Sequence, residues 1–163
     1  IFREILIRGA LTVGQISVEN NQIFGPSIIE AYNLESRIAV YPRIIISQGA
    51  MDAPFTDRRV LSPIHTPEHV LEDIREMVRQ DENGIWYIDY LRGFESELDV
   101  QELYPDYLGH HRNIILNNRH SEDERIRLKY EWLTNYHNEV VHELNDDVCH
   151  ELGFDKSELL IVG

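Results

Sequence analysis

The spacing of apolar positions changes repeatedly along this chain, and each change predicts an element. Over residues 4–18, Ile5, Ile7, Leu11 and Val13 alternate with polar or small residues, which predicts one long strand bent near its middle. Gly9 and Gly14 interrupt it, as glycine does at a bulge or where a second backbone or a ligand comes close. The opposite face carries Arg8, Ala10 and Thr12, small apart from the arginine. Asn20-Asn21 tolerates positive φ and predicts a hairpin turn, with Ile23 and Phe24 opening a short return strand. Pro26 suits the first turn of a helix, and Ile28, Ile29, Tyr32, Glu35, Arg37 and Ile38 carry that helix to about Ala39. Pro42 stops it, and Arg43-Ile44-Ile45-Ile46-Ser47 reads as a buried strand.

Residues 48–65, with Gly49, Pro54 and Pro63, predict a surface loop. Thr66-Pro67-Glu68 opens another helix with a cap, a first-turn proline and an acid at the positive end of the dipole. Its expected buried stripe is Val70, Leu71, Ile74, Met77 and Val78. Asn83-Gly84 marks a turn before a strand over 85–90; residues 92–105 predict nothing definite. Two helices follow, at 106–119 and 122–144, the second opened by a capping box of Ser121 with Glu124. Ile126, Tyr130, Leu133, His137, Val140, Val141 and Leu144 keep one side of it apolar, and Glu158 to Val162 read as a last short strand.

Composition narrows the function classes. The chain has 163 residues, which suits one domain, and 42% apolar content, which supports a core. A formal charge of −14 argues against an extended nucleic-acid surface, which needs clustered Lys and Arg to replace counterions. One small anion held by a few local donors remains compatible with it. No apolar run is long enough for a membrane span, and no leader pattern precedes Ile1. The start inside strand-like sequence suggests further residues upstream. Cys149 is the sole cysteine, so no internal disulfide can form, and a reducing, cytoplasmic setting is expected.

Several side chains invite chemistry, and most have a plainer use. His110 and His111 are adjacent, and His137 and His142 are five apart, so neither pair has the spacing that puts two metal ligands on one helix face. Cys149 lacks the context of a nucleophile. Ser121-Glu122-Asp123-Glu124 fits a helix start, and Glu143, Asp146 and Asp147 a solvated face. Asp52, Asp57 and Asp89 could each border a site, and nothing in their spacing singles one out. Arg8 is a charge in mid-strand, which must meet solvent, an acid or a ligand phosphate. A salt bridge is the plainer of these.

The stretch "ILIRGALTVGQ…NNQIFGPSIIEAYNLESRIAVYPRIII" resembles the second half of a class III nucleotide cyclase catalytic domain. That family carries R-x-G-I-x-x-G, a hairpin, D-x-x-G-x-x-V-N-x-A-x-R-L and a buried strand. Arg8 and Gly14 match the Arg and final Gly, Gly25 the glycine before the helix, and Ala31 and Leu34 the small and apolar helix positions. "FGP", "AYNLES", "YPRI", "WYIDYL" and "KYEWLTNYHNE" are similar to the bacterial pyrimidine cyclases of anti-phage Pycsar systems.

The resemblance implies an α+β fold: the second half of a ferredoxin-like cyclase sheet in residues 1–47, with helices on one face. A helical C-terminal extension with extra strands would fill 48–163. It implies a lyase that converts a nucleoside triphosphate to a 3′,5′-cyclic pyrimidine mononucleotide (cUMP or cCMP) and pyrophosphate, with Mn2+ or Mg2+ and a homodimeric site. The metal-binding acids of the family lie in its first half, so their ligands are expected upstream of Ile1 and none is assigned here. The base-reading position aligns on Gln22, whose amide can both donate and accept on a pyrimidine edge; the plainer alternative is that Gln22 only ends the turn. Phe24 would stack on the base or fill the core. The ribose-orienting Asn aligns on Ile29 and the transition-state Arg on Asn33, and both depart from the pattern. Ile29 makes no hydrogen bond, and Asn33 donates without a charge. Either Arg3 or Arg8 serves in their place, or the branch is a non-catalytic nucleotide-binding or dimerisation domain. The first strand, without its usual neighbours, should have an unpaired edge or unusual partners.

Overall fold

Strand β4 (Ile44–Ile46) is the element around which the first part of the chain assembles in the computed structural model, which describes residues 5–62, 64–96 and 103–162. It pairs in parallel with β1 (Gly9–Leu11) and antiparallel with β6 (Trp86–Ile88), which pairs in turn with β5 (Val78–Gln80). The sheet order is therefore β1-β4-β6-β5, with β1 on an edge. Between β1 and β4 lie a separate two-stranded ribbon, β2 (Ser17–Glu19) with β3 (Gln22–Phe24), and helix α1 (Pro26–Asn33). Asn20 and Asn21 both take positive φ, 49° and 63°, as a type I′ hairpin requires.

The expected single strand over 4–18 is thus two strands in two sheets. At Gly14 a Cβ would lie 2.3 Å from Ser27 Oγ, so the chain there packs on α1 instead of continuing its ladder. The helix predicted to Ala39 has the right extent but not one geometry. After Asn33 it widens into a π-helical turn, Leu34–Ile38, closed by the Ala39 N–H donating to Leu34 O at 2.8 Å.

Residues 48–65 contain more structure than their glycine and prolines predict. Ser47 Oγ accepts from Ala50 N at 3.1 Å and starts α2 (Gln48–Thr56), which a 3₁₀ turn, Arg58–Val60, follows. Pro54 lies inside α2, where the helix goes without the bond that an N–H at this position would donate to the Ala50 carbonyl. Helix α3 (Pro67–Glu76) stops before Met77 and Val78; Met77 is exposed and Val78 opens β5. Leu71, Ile74, Val78, Trp86 and Ile88 pack on Ile46, Ala50 and Met51 to make the core of this unit, Leu6–Tyr90.

Two buried ion pairs brace the sheet. Arg43, at the start of β4, lies between the rings of Tyr41 and Tyr87, with its guanidinium 5.6 and 5.1 Å from their centroids. Its Nη1 donates to Asp81 Oδ2 at 2.8 Å, while Asp81 Oδ1 accepts from the N–H groups of Asn83 and Ile85, each at 2.9 Å. Desolvation opposes the charge on Asp81, but the bonds from Ile85, Arg43 and Asn83 outweigh it and hold the carboxyl below its ordinary pKa. Arg79 on β5 pairs with buried Asp89 just past β6.

The second unit comprises Leu91–Gly163 with the first five residues. It contains α4 (Tyr90–Ser96, whose first residue belongs to the other unit), α5 (Tyr104–Asn118), α6 (Glu124–Glu143), α7 (Asp146–Glu151) and α8 (Lys156–Leu159). Leu108 and Ile115 of α5 and Leu133, Val140 and Val141 of α6 are buried. The cap of α6 is Asp123, whose carboxylate accepts from Arg125 N at 2.8 Å, in place of the expected Ser121 box. A charged acceptor directly at the helix start serves better there than a hydroxyl two residues back. The expected tail strand is also absent: Lys156–Leu159 is one helical turn, and the extended residues after it bond to side chains. Asn138 reproduces a strand partner, donating to Ile161 O and accepting from Ile161 N, both at 2.9 Å. Arg112 and Arg119 of α5 donate to Leu160 O and Val162 O at 3.2 and 2.8 Å.

Within this core His111 and His137 meet at 3.1 Å, Nδ1 to Nδ1. His137 Nε2 lies 2.9 Å from Leu159 O, which can only accept, so Nε2 carries the proton. In neutral His137 the Nδ1 lone pair then accepts from His111 Nδ1–H, which fixes both tautomers. Burial, and next the neighbouring His137, push His111 down to about 3, and burial lowers His137 as well.

Two outcomes are expected. Asp81→Ala should cost about 3–5 kcal/mol in chemical denaturation, because it removes a carboxylate that pairs with the buried Arg43 charge. The histidine pair is protonated more readily when unfolded. The His111 contribution should be complete above about pH 6.5 and fall as pH drops toward about 3, by up to ~1.4 kcal/mol per pH unit, and His137 acts in the same direction. Denaturation curves from pH 7.5 to 5 check this, and His111→Phe should flatten the slope.

Candidate functional site

The corner between the β2–β3 ribbon and α1 exists because two glycines allow close approach, Gly14 to the Ser27 side chain and Gly25 to the backbone of Gln15 and Ile16. Gly25 has φ +143°, and a Cβ there would lie 2.6 Å from Gln15 O. Its carbonyl accepts from Ile28 N and Ile29 N at 3.2 and 3.3 Å, which starts α1. Ser27, buried beside Gly14, donates through Oγ to Gln15 O at 3.2 Å, and Thr12 Oγ1 donates to Ser27 O at 3.1 Å. Residues 12–15 are thereby fixed to the helix start by side-chain bonds.

Around this corner the sequence candidates separate into three groups. Gln22 and Phe24 lie on β3, opposite Glu19 and Ser17, and both are exposed. Arg8 forms an ion pair with Glu35 in the π-helical turn, so its charge is answered by an acid. Ile29 and Asn33 line an open groove of about 470 Å³ along α1 and the π turn, with Pro26, Glu30, Leu34, Arg37 and Ile38. Arg3 lies outside the described residues.

The groove adds residues that the sequence pattern left unmarked. Arg37 is exposed and stands one helical turn beyond Asn33, at the position where the turn widens. A four-residue spacing from Ile29 to Asn33 to Arg37 was the available signal, since it places all three on one stripe. A π turn is common at functional sites, and its presence cannot be seen in residue identities.

The other chemistry-bearing residues are committed elsewhere. Asp89 is buried against Arg79, Asp52 accepts from Gln48 at 2.9 Å, and Asp57 chelates the Arg59 guanidinium. Cys149 is buried in α7. Among the described residues no group of three or more His, Cys, Asp or Glu side chains is placed to hold a metal ion. No helix among the described residues is long and apolar enough to cross a membrane.

Compared with known protein families, with curated proteins and with solved structures, the chain matches none of them.

Gly25→Ala tests the corner. The positive φ and the contact with Gln15 both oppose a Cβ, so a loss of about 2 kcal/mol or more is expected in thermal or chemical unfolding. Gly93→Ala is the control, because a Cβ there meets nothing within 4 Å.

Proposed function

We propose that this chain is the base-facing part of a class III nucleotide cyclase domain. Its reaction would be the conversion of a pyrimidine nucleoside triphosphate to a 3′,5′-cyclic mononucleotide and pyrophosphate, as an anti-phage signal. The observation that carries the reading is the path from β1 through the β2–β3 ribbon and α1 to β4. Parallel β1 and β4 lie side by side, and a glycine-only turn at Gly25 joins the ribbon to the helix. That is the order of elements the resembling sequences imply for the second half of a cyclase sheet.

In this reading Gln22 presents an amide at the end of the ribbon. The amide N–H donates to one atom of a pyrimidine edge and the amide oxygen accepts from its neighbour. Phe24, two residues on, offers a ring face. Asn33 can donate to a phosphate oxygen. The divalent ions supply charge neutralisation at the phosphates in the resembling family, and their ligands would lie upstream of Ile1. Two copies are expected to form the site.

A second reading, a non-catalytic nucleotide-binding or dimerisation domain, is favoured by one observation. The cation of the corner, Arg8, is occupied by Glu35, and Ile29 and Asn33 bring no charge. The two readings separate in one assay. The full-length protein is incubated with ATP, GTP, CTP and UTP and Mn2+, and cyclic product is followed by mass. Product from UTP or CTP, with Gln22→Ala lowering the preference for that base, is the expected outcome. No product from any of the four, with binding retained, leaves the second reading.

A further inference from the structure

In the helical unit, the backbone that follows α8 is held by side chains in a regular order. Every carbonyl from Leu159 to Val162 accepts from a different one. His137 Nε2–H and Asn138 Nδ2 of α6 bond Leu159 O and Ile161 O, each at 2.9 Å. Arg112 Nε and Arg119 Nη1 of α5 bond Leu160 O and Val162 O at 3.2 and 2.8 Å. Asn138 Oδ1 also accepts from Ile161 N at 2.9 Å. Successive carbonyls of an extended chain point to opposite edges, so α6 bonds one edge of this segment and α5 the other.

The side chains of the segment follow the same alternation. Leu159 and Ile161 are buried, Leu160 is half-buried, and Val162 is 76% exposed. A backbone gripped on both edges with every second side chain in a pocket is how a groove holds an extended peptide. The main-chain bonds give affinity and ignore residue type, while the two pockets select apolar side chains at alternate positions.

The segment is also the part of this unit best able to leave. Ordering four residues costs entropy of the same order as burying two aliphatic side chains returns. Such segments open locally at far lower free energy than a helix core. The α5–α6 pair keeps its own core of Leu108, Ile115, Leu133, Val140 and Val141 when the segment lifts. What an opened groove then presents is an apolar floor, the two-way amide of Asn138, two guanidinium groups and the His137 N–H. These donors and one acceptor are spaced for an extended backbone, and leaving them without partners is costly.

We propose that the groove between α5 and α6 is a peptide-docking site that residues 159–162 occupy in cis. Its partner is an extended stretch of another protein with apolar side chains two residues apart, which takes the place of the chain's own segment. The segment thereby acts as a built-in competitor, so only a partner that fills both pockets and all the backbone bonds displaces it. This site lies wholly in the helical unit, and it stands whether or not the chain turns over a nucleotide.

Two measurements on the full-length protein test this. In wild-type hydrogen exchange, the Ile161 amide should exchange at least about tenfold faster than those of Leu133 and Val140, through local opening. Binding is then read by fluorescence anisotropy of a labelled peptide that spans residues 155–162. Ile161→Asp unseats the chain's own segment, which otherwise competes at high effective concentration, so this variant should bind the peptide about tenfold or more tighter than wild type. Asn138→Ala in that background should weaken binding about tenfold, because it removes both bonds to one peptide residue. In the peptide, L160S/V162S should leave affinity within about threefold, whereas L159S/I161S should abolish binding. Circular dichroism checks that each variant is folded, and Ile161→Ala serves if Ile161→Asp unfolds the chain. An Ile161 amide that exchanges only with the helix core, a folded Ile161 variant that takes up no peptide, or binding indifferent to Asn138→Ala would each overturn the proposal.

Discussion

The Arg43 side chain and backbone together tie all four strands of the sheet. Its carbonyl accepts from Gly9 N at 3.2 Å, which registers β1 on β4. Its guanidinium reaches Asp81, and that carboxylate organises the β5–β6 turn through Asn83 and Ile85. Tyr41 and Tyr87 cover the charge on both sides. A buried arginine is costly unless paired, so a sheet of three-residue strands draws specificity from the ion pair of this one cation. Such short strands contribute few ladder bonds of their own, which is why the side-chain network matters here.

Beside this braced sheet stands a ribbon with the opposite character. All six residues of β2 and β3 are exposed, and several are large and apolar. What holds the ribbon is its I′ turn at one end and the Gly14–Ser27–Gly25 contact at the other. Isolated two-stranded ribbons are marginal in water, so the ends carry the stability that the faces do not provide. The ribbon's faces are left free for a ligand or a second chain, and so is the groove along α1. Specificity in this corner thus comes from backbone geometry, while affinity for whatever binds would come from apolar area and a few polar groups.

The helical unit solves a different problem. Its helices pack by ordinary apolar contacts, but the tail after α8 has no strand to pair with. Side chains from α5 and α6 take that part, with Asn138 imitating a backbone partner and Arg112 and Arg119 accepting none but donating to carbonyls. The histidine pair performs the same service for Leu159 O, at the cost of admitting two titratable rings to the core. A neutral pair with fixed tautomers satisfies every nitrogen it turns toward the pair and the tail, whereas a charged pair would set donor against donor.

Local chemistry decided much of this protein from its residues alone. Asn20-Asn21 dictates a positive-φ turn, Pro26 and Thr66-Pro67 dictate helix starts, and the Ile44–Ile46 run dictates a buried strand, because each depends on neighbours within a few residues. The tertiary structure decided the rest. Whether residues 4–18 form one strand or two depended on Gly14 meeting Ser27, thirteen residues away. Whether the tail paired with a strand or with Asn138 depended on a helix residue twenty-three positions before Ile161. The α1 groove and the apolar corner lay in plain view as residue types, but the amphipathic pattern did not say whether the apolar side of the helix is covered. Periodicity reports that one side of a helix is apolar, but only packing decides whether that side is covered, and here the covering elements among the described residues leave it open.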